Sequence, residues 1–502
     1  MELDTDFCKV FCCEIPEVKK AVIPVECSMI LPDYFPDVMK ILRYTAKTVK
    51  SPVVNENGNE TVSGNISIEV SYVSEEGELC SCSQLQPFSQ SFDCGGNVSA
   101  AEAEVAVSEI GCRAVNKRRI DLNGNMEISL HTVLGEEKKA LSSAKGAGAV
   151  CKTESEEIIV FAGEFYKNFS IEEKAELGYG KKPFGKILRS AAFGEVTECH
   201  VIQDKIVTKG EVRVEMLWAG ENSGENGENG VFLSKFSFPV SRMVEAKGIL
   251  LTDICDAKYE ADFPEITPLE DGQSVIIKLK IGISARVYRK EWADFISDMF
   301  STDYELKTER EKMNFVGKAF PISKTEQFSE KIDLPETAET VMDIWTENGA
   351  LKFSPDGKVY FETKVCLFAK DSDGTPVYFE KVFERKANVL QTEENLAFCS
   401  LSVLPKSMDF VLSGDKKAEV SSEIIIDGTA FSSLSTEVLK GCSLSTENKI
   451  EHGDFSILLC YAEKGEKVWD IAKKHRSSVE RIMTENELSE ETISERRMLV
   501  IT

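Results

Sequence analysis

Apolar and polar residues alternate along one stretch of the chain, Thr61 to Val73. Its even-numbered positions are mostly apolar, from Val62 to Tyr72, and its odd-numbered positions up to 71 are polar. Alternation with a period of two is typical of a β-strand that has one face in a core and one in water. The same pattern recurs at 210–218 and 359–367. The chain is therefore predicted to use one β-rich module three times.

Short sequence motifs that occur twice support this repetition. Lys-Thr-Glu at 152–154 returns at 307–309, a shift of 307 − 152 = 155 residues. Leu-Pro followed by an apolar run begins at Leu31 and again at Leu334, a shift of 334 − 31 = 303 residues and so about two repeats. Two independent features at compatible spacing predict tandem modules.

The run 36–43 predicts a short helix that seals one end of the first module. Pro36 suits a helix start, and Val38, Ile41 and Leu42 share one helical face.

Several turns are predicted between the strands. Glu-Glu-Gly at 75–77, Asn-Gly at 123–124 and Asp-Ser-Asp-Gly at 371–374 suit hairpin turns, and the polar segment 219–230 suits a longer hairpin loop. The alternating run 275–287 predicts a long strand that closes the second module.

Two stretches lack a clear apolar pattern, 131–160 and 428–451, and are predicted to be linkers. The predicted fold is mainly β, with three tandem β-sandwich-like modules followed by a small α+β domain. The predicted divisions are an N-terminal segment 1–30, modules 31–135, 152–290 and 305–430, a linker 431–453, and a C-terminal domain 454–502.

The C-terminal domain has a pattern of its own. A strand at 457–461 precedes a helix at 468–475, whose apolar residues form one stripe. Ser477 and Glu480 form a capping box that starts a second helix. A strand at 498–501 completes the order β-α-α-β.

Length and net charge limit the number of domains and the classes of partner that the chain is expected to have. A chain of 502 residues suits about three domains. The net charge of −26 argues against binding to nucleic acid or anionic lipid, and it also suits an ordinary solvated surface. The start has no basic or apolar region of a signal peptide, and no apolar run reaches the length of a membrane span, so we expect a cytoplasmic protein.

The fifteen cysteines are expected to be reduced, mostly buried thiols. A structural metal at Cys12-Cys13 or at Cys80 and Cys82 is the alternative, although these pairs lack the spacing of a zinc site.

Motifs of catalysis are not evident. The sequence contains neither a phosphate-binding P-loop nor a Gly-x-Ser-x-Gly nucleophile elbow. None of the four histidines has a Ser, Cys or Asp at a spacing that suggests a catalytic triad; they are His131, His200, His452 and His475. We expect a non-enzymatic protein without a cofactor.

The run 465–474 resembles the Gly-Asp-Thr-Leu-Trp-Asp-Ile-Ala-Lys-Lys motif of LysM domains, and Val479 and Asn486 extend the resemblance. The stretch 31–42 and the strand after it resemble SPOCS domains. This combination is similar to SipL-type spore coat morphogenetic proteins of spore-forming Firmicutes, the counterparts of SpoVID. The resemblance implies a mother-cell scaffold at the forespore surface that binds the coat ATPase SpoIVA and promotes coat encasement. Other coat proteins are expected to contact the β modules, for instance at sheet edges.

Compared with glycan-binding LysM domains, Lys467 replaces the threonine of the turn, and Ser494-Glu495-Arg496 replaces the usual Pro-Gly-Gln before the last strand. Small residues that let a glycan approach the backbone are therefore partly missing, and the charges of Lys467 and Arg496 suit an acidic protein surface, which favours a protein partner. Peptidoglycan binding is the alternative. We expect Trp469 to be half exposed, as an interface anchor or as a core residue of a small domain. The expected partner-binding residues are Gly465, Glu466, Lys467, Trp469, Asn486, Leu488 and Arg496.

Overall fold

The protein is seen in a computed structural model that describes residues 3–13, 17–50, 53–56, 58–95, 98–178, 183–220, 230–349, 351–354, 358–390, 395–414, 416–450 and 457–502. Within these ranges the chain is mainly β, with two short helices near its C-terminus. The mainly-β class predicted from the alternating pattern is confirmed. Among the described residues, no helix is long and apolar enough to cross a membrane.

The first part of the chain forms two sheets that share a core. Its strands are β1 (Asp4–Cys13), β2 (Glu17–Ile30), β3 (Val38–Lys50), β4 (Val54–Glu56), β5 (Asn59–Ser74), β6 (Leu79–Asp93), β7 (Val98–Asn116) and β8 (Arg119–Lys145). β5 lies between β3 and β6 and also pairs with β4, while β8 lies between β2 and β7. Ile66 and Val70 of β5 join Ile120 and Ile128 of β8 in one buried cluster.

The second part repeats this plan. Its strands are β9 (Ala149–Glu176), β10 (Phe184–Ile202), β11 (Lys205–Gly220), β12 (Val231–Glu245), β13 (Ile254–Ala261), β14 (Glu265–Pro268) and β15 (Ser274–Ser301). β11 lies between β10 and β12, and β15 pairs with β9, β13 and β14. Val214 and Trp218 of β11 pack with Ile277 and Ile283 of β15.

The third part follows the plan again. Its strands are β16 (Tyr304–Asp333), β17 (Thr340–Asn348), β18 (Lys352–Ser354), β19 (Lys358–Lys370), β20 (Pro376–Asn388), β21 (Leu396–Ser413) and β22 (Lys417–Lys449). β19 lies between β17 and β20, and β22 lies between β16 and β21. Val365 and Leu367 of β19 pack with Val420 of β22. The three strands predicted from the alternating pattern, β5, β11 and β19, therefore occupy equivalent central positions.

The long strands extend beyond the sheets as three two-stranded ribbons. The first pairs β1 with the end of β8, the second pairs the start of β9 with the end of β15, and the third pairs the start of β16 with the end of β22. Leu141, Ile296 and Leu439, one from each ribbon, meet in a buried cluster. We call these three packed ribbons the stem.

The two predicted linkers are wrong, because most of their residues form the stem. Residues 131–145 belong to β8, 149–160 to β9 and 428–449 to β22. Their small residues weaken the apolar pattern, yet those residues lie where ribbons pack closely, as Ala140 does at 0% exposure. A core between ribbons from distant parts of the chain leaves little local signal.

The predicted helix over 36–43 is also wrong, because β3 begins at Val38. The register between β3 and β5 shifts between Val38 and Lys40 and again between Ile41 and Arg43. Each shift leaves one residue unpaired in a β-bulge, and two bulges close together disturb the period of two. The result imitates helical spacing.

Two of the predicted hairpin turns are confirmed. Gly77 and Gly374 have φ angles of 79° at the turns between β5 and β6 and between β19 and β20. The Asn123-Gly124 turn is wrong, since both residues lie inside β8. An added Cβ at Gly124 would lie 3.2 Å from the carbonyl oxygen of Ser108, so this glycine permits a close approach of strands. Of the predicted polar loop, 221–229 lie outside the described residues.

The C-terminal domain has the predicted element order. β23 (Leu458–Ala462) pairs antiparallel with β24 (Arg497–Ile501), and α1 (Val468–His475) and α2 (Val479–Glu485) lie between them in the chain. The start of α2 differs by one residue from the predicted capping box. Ser478, not Ser477, is its N-cap and accepts a hydrogen bond from the backbone N–H of Arg481.

Candidate functional site

The predicted partner-binding residues of the turn before α1 lie beside the segment that precedes β24. Gly465 has a φ angle of 91°, and its N–H donates to the carbonyl of Ile493 over 2.8 Å. The carboxylate of Glu466 accepts the N–H of Glu463 at 2.9 Å. Lys467 is exposed and forms an isolated β-bridge with Thr492. The turn is held by its own backbone, and the Lys467 side chain remains available to a partner.

Trp469 is buried, with 7% of its surface exposed, so the expectation that it is half exposed is wrong. Its ring packs edge-on against Phe300 of β15, with 5.3 Å between centroids. Its indole N–H donates to the carboxylate of Asp298 at 2.8 Å. The sequence placed Trp469 correctly beside the apolar stripe of α1 but did not reveal that the second ribbon covers it.

Asp298 is the centre of the contact between the C-terminal domain and the stem. Lys473 of α1 donates to both carboxylate oxygens, at 2.6 and 2.8 Å, and Arg310 of the third ribbon approaches at 2.6 Å. Burial raises the pKa of Asp298, but the hydrogen bonds from Lys473 and Trp469 outweigh it, so the pKa lies below its usual value. The Asp298 carboxylate therefore favours the docked arrangement when it is ionised.

Asn486 and Leu488 support the domain from within. The side-chain amide of Asn486 donates to the carbonyls of Ile482 and Val500 at 2.8 and 2.7 Å, and its oxygen accepts the N–H of Val500 at 2.7 Å. The group is buried and its hydrogen bonds join α2 to β24. Leu488 is partly buried against the core of the domain. Both residues are positioned to hold the fold rather than to meet a partner directly.

A face that the sequence analysis missed lies on the two-stranded sheet. Tyr461 pairs with Met498 and is 69% exposed, while Met498 is 49% exposed. Ile457 and Leu459 precede Tyr461 at alternate positions and are 59% and 57% exposed. We call Ile457, Leu459, Tyr461 and Met498 the apolar tail face. The run 457–461 could have indicated this face, because it is apolar at every position. A two-stranded sheet buries only one face, so half of these apolar side chains must be exposed.

Arg496 lies at the edge of the apolar tail face. Its guanidinium is 5.6 Å from the ring centroid of Tyr461 and 3.1 Å from the carboxylate of Glu463. This places a cation beside exposed aromatic surface, an arrangement that suits recognition of an acidic and apolar protein surface.

The other chemical groups singled out in the sequence remain dispersed. His131 lies 3.7 Å from Glu104, and His200 lies 3.3 Å from Glu198. Burial lowers the pKa of His475, and His452 lies outside the described residues. Among the side chains that the structure describes, no group of three or more His, Cys, Asp or Glu residues could hold a metal ion.

Burial also affects the thiols. Burial raises the pKa of Cys12 to about 11 and that of Cys82 to about 12. At Cys12 the positive charge of Lys138 lowers the pKa but only partly offsets the effect of burial. Thiols with raised pKa values carry little thiolate at neutral pH and react slowly.

Comparison with known proteins gives no match, whether to family models, to curated proteins or to solved structures. The function is therefore argued from the geometry of the chain and from the sequence resemblances described above.

Proposed function

We propose that this chain is a non-enzymatic scaffold of the spore coat whose C-terminal domain is a LysM-like adaptor for a protein partner. The observation that carries the proposal is the apolar tail face, with Tyr461 69% exposed beside a cation. Exposed clusters of large apolar side chains mark protein interaction sites in soluble proteins. Tyrosine flanked by arginine is typical of the energetic centre of such sites.

The docking of α1 supports this choice of face. Trp469 and Lys473 are engaged by Asp298, so the helix side of the domain is already occupied within the chain. The sheet side is left to meet a partner. The three pairs of sheets would then be tandem SPOCS-type sandwiches that hold the adaptor on a rigid stem.

We propose a SpoIVA-type coat ATPase as the partner, in the mother cell at the forespore surface, because the sequence resembles SipL-type proteins. Other coat proteins would bind at sheet edges. Peptidoglycan is the second candidate, since the turn at Gly465 is the part of a LysM domain that a glycan approaches. The exposed side chains of Lys467 and Arg496 stand beside that approach and favour a protein instead.

The test uses the full chain and a purified SpoIVA-type ATPase. We expect Tyr461→Ala to weaken binding at least tenfold, since loss of a central interface tyrosine typically costs more than about 1.4 kcal/mol. Tyr34→Ala is the matched control, because Tyr34 is 82% exposed but lies in the first part of the chain. It should bind as the wild type does.

Two results would refute the proposal. One is binding that Tyr461→Ala leaves unchanged. The other is sedimentation of the chain with purified peptidoglycan together with no binding to the ATPase, which would establish the glycan alternative.

A further inference from the structure

The three parts of the chain enclose a cavity of about 840 Å³. Its lining includes β3, β10 and β17, the first strands of the three equivalent sheets, together with β21 and residues of neighbouring strands such as β5, β11 and β12. Each of the three first strands carries a register shift, which leaves Leu42, Leu188 and Met342 unpaired on their strands. These three residues belong to one apolar cluster shared by all three parts, so the bulges fasten the parts together around the cavity.

The guanidinium groups of the lining are neutralised by carboxylates. Arg43 forms ion pairs with Glu69, at 3.5 Å, and with Glu347. Arg189 pairs with Asp343 at 2.9 Å. Both arginines are almost fully buried. The pair of Arg43 and Glu347 joins the first part to the third, and the pair of Arg189 and Asp343 joins the second part to the third. They add polar contacts to the apolar cluster that joins the three parts.

Two further cations of the lining are engaged as well. Lys235 lies 3.7 Å from Glu215 and donates to the carbonyl of Met408 at 3.4 Å. Arg213 donates to the carbonyls of Pro405 and Lys406. These contacts seal β21 against the second part.

Lys47 differs from these cations. Within the part of the chain that the structure describes, its ammonium has no hydrogen bond and no carboxylate at ion-pair distance. It lies over two aromatic rings, 5.4 Å from the centroid of Phe193 and 5.5 Å from that of Phe263, and much of its surface opens into the cavity. Separation from bulk water lowers the pKa of Lys47, although Glu347 and Glu69 oppose the change. An ammonium that faces the cavity without a carboxylate at ion-pair distance is positioned to pair with an anion that enters the cavity.

We propose that this cavity binds a small organic anion, with its acidic group on the ammonium of Lys47 and its apolar body along the neighbouring rings. The volume falls within the range of small-molecule sites, about 300–1,000 Å³. Phe193 and Phe263 offer flat apolar walls beside the charge. The recognised chemistry is one carboxylate, sulfonate or phosphate group on an aromatic or aliphatic body. This site is separate from the apolar tail face and does not depend on the proposed adaptor function.

The test titrates the full chain with 8-anilinonaphthalene-1-sulfonate, a fluorescent aromatic anion. We expect one saturable site whose affinity falls at least tenfold in Lys47→Met, which keeps the length of the side chain and removes its charge. Lys47→Arg should retain the site. Benzoate and phenyl phosphate should compete with the probe, and the stronger competitor shows whether the site prefers a carboxylate or a phosphate. Inorganic phosphate should compete more weakly, because it has no apolar body to lie along the rings.

Lys40→Met is the matched control, because Lys40 is exposed on the same strand and lies outside the lining. It should bind the probe as the wild type does, and circular dichroism should show that every variant is folded. The proposal is overturned if Lys47→Met binds with wild-type affinity, if Lys47→Arg loses the site as completely as Lys47→Met, or if binding to the wild type is not saturable.

Discussion

The indole N–H of Trp469 donates a 2.8 Å hydrogen bond to the carboxylate of Asp298, 171 residues earlier in the chain. This contact joins the C-terminal domain to the second ribbon of the stem. Phe300 of that ribbon completes the core of the domain, together with Val150. The domain is thus held in one orientation, with its helix side inward and its apolar tail face outward.

We predict that Lys473→Met loosens this docking, because the substitution removes two hydrogen bonds to Asp298. The expected loss is about 1 kcal/mol, below the roughly 1.5–3 kcal/mol typical of a hydrogen bond to a charged group, because Lys473 is partly exposed. The signal of Trp469 in ¹⁹F NMR of protein labelled with 5-fluorotryptophan should move towards that of a solvent-exposed indole. Lys474→Met removes a charge from the exposed neighbour on α1 and should leave the signal in place. Equal shifts in both variants would contradict the prediction.

We also predict that docking weakens in acid. The pKa of Asp298 is lower in the docked state than the ordinary aspartate value of about 3.9. Its ionised form therefore stabilises docking above that value, and the stabilisation is lost as the pH falls through the docked-state pKa. The Trp469 signal of the wild type should change as the pH falls below about 4, whereas Asp298→Asn should already be loosened at pH 7 and lack this transition. An identical pH profile for both proteins would show that Asp298 is not the responsible group.

Asn486 gives a prediction about the stability of the C-terminal domain. In Asn486→Asp a carboxylate oxygen would replace the amide that donates to the carbonyls of Ile482 and Val500. Two lost hydrogen bonds and the new repulsion should lower the free energy of unfolding of the domain by about 3 kcal/mol. Urea titration followed by the Trp469 signal measures this change. Glu487→Gln is the control, because it alters the exposed neighbour, and it should change the free energy of unfolding by less than about 0.5 kcal/mol. If Glu487→Gln destabilised the domain as much as Asn486→Asp does, the hydrogen bonds of Asn486 would not be the cause of the loss.

The repeated strands could be predicted from the sequence because their information is local. In β5, Val62 and Ile66 face a core while Asn65 is exposed, so the alternation is local to consecutive residues. The expectation that the whole polar face meets water is wrong for its second half, because Ser67, Glu69 and Ser71 are buried. The C-terminal domain was predictable for the same reason, since the stripe of α1 and the N-cap of α2 lie within a few residues.

The stem was not predictable in this way. Leu141, Ile296 and Leu439 meet although about 150 residues separate each from the next, and no local period records their contact. The burial of Trp469 has the same origin, because Asp298 and Phe300 belong to another ribbon. The bulges of β3 had the opposite effect and produced a false helical pattern. Local patterns thus predicted the strands, while contacts between distant segments decided how the site is exposed.

The pair of Arg189 and Asp343 gives the last prediction. Their side chains are 5% and 2% exposed, and Arg189 also lies 4.6 Å from the ring centroid of Trp345. Removing one partner leaves a buried charge, so Arg189→Met and Asp343→Leu should each lower the free energy of unfolding by about 3–5 kcal/mol. The double variant should lose less than the sum of the single losses, by at least about 2 kcal/mol, because it leaves neither charge unpaired. Urea unfolding of the wild type, the two single variants and the double variant measures this coupling.

The exposed pair of Lys20 and Glu127, 3.0 Å apart, is the control cycle and should couple by less than about 1 kcal/mol. Additive losses at Arg189 and Asp343 would mean that their ion pair does not help to hold the second and third parts of the chain together.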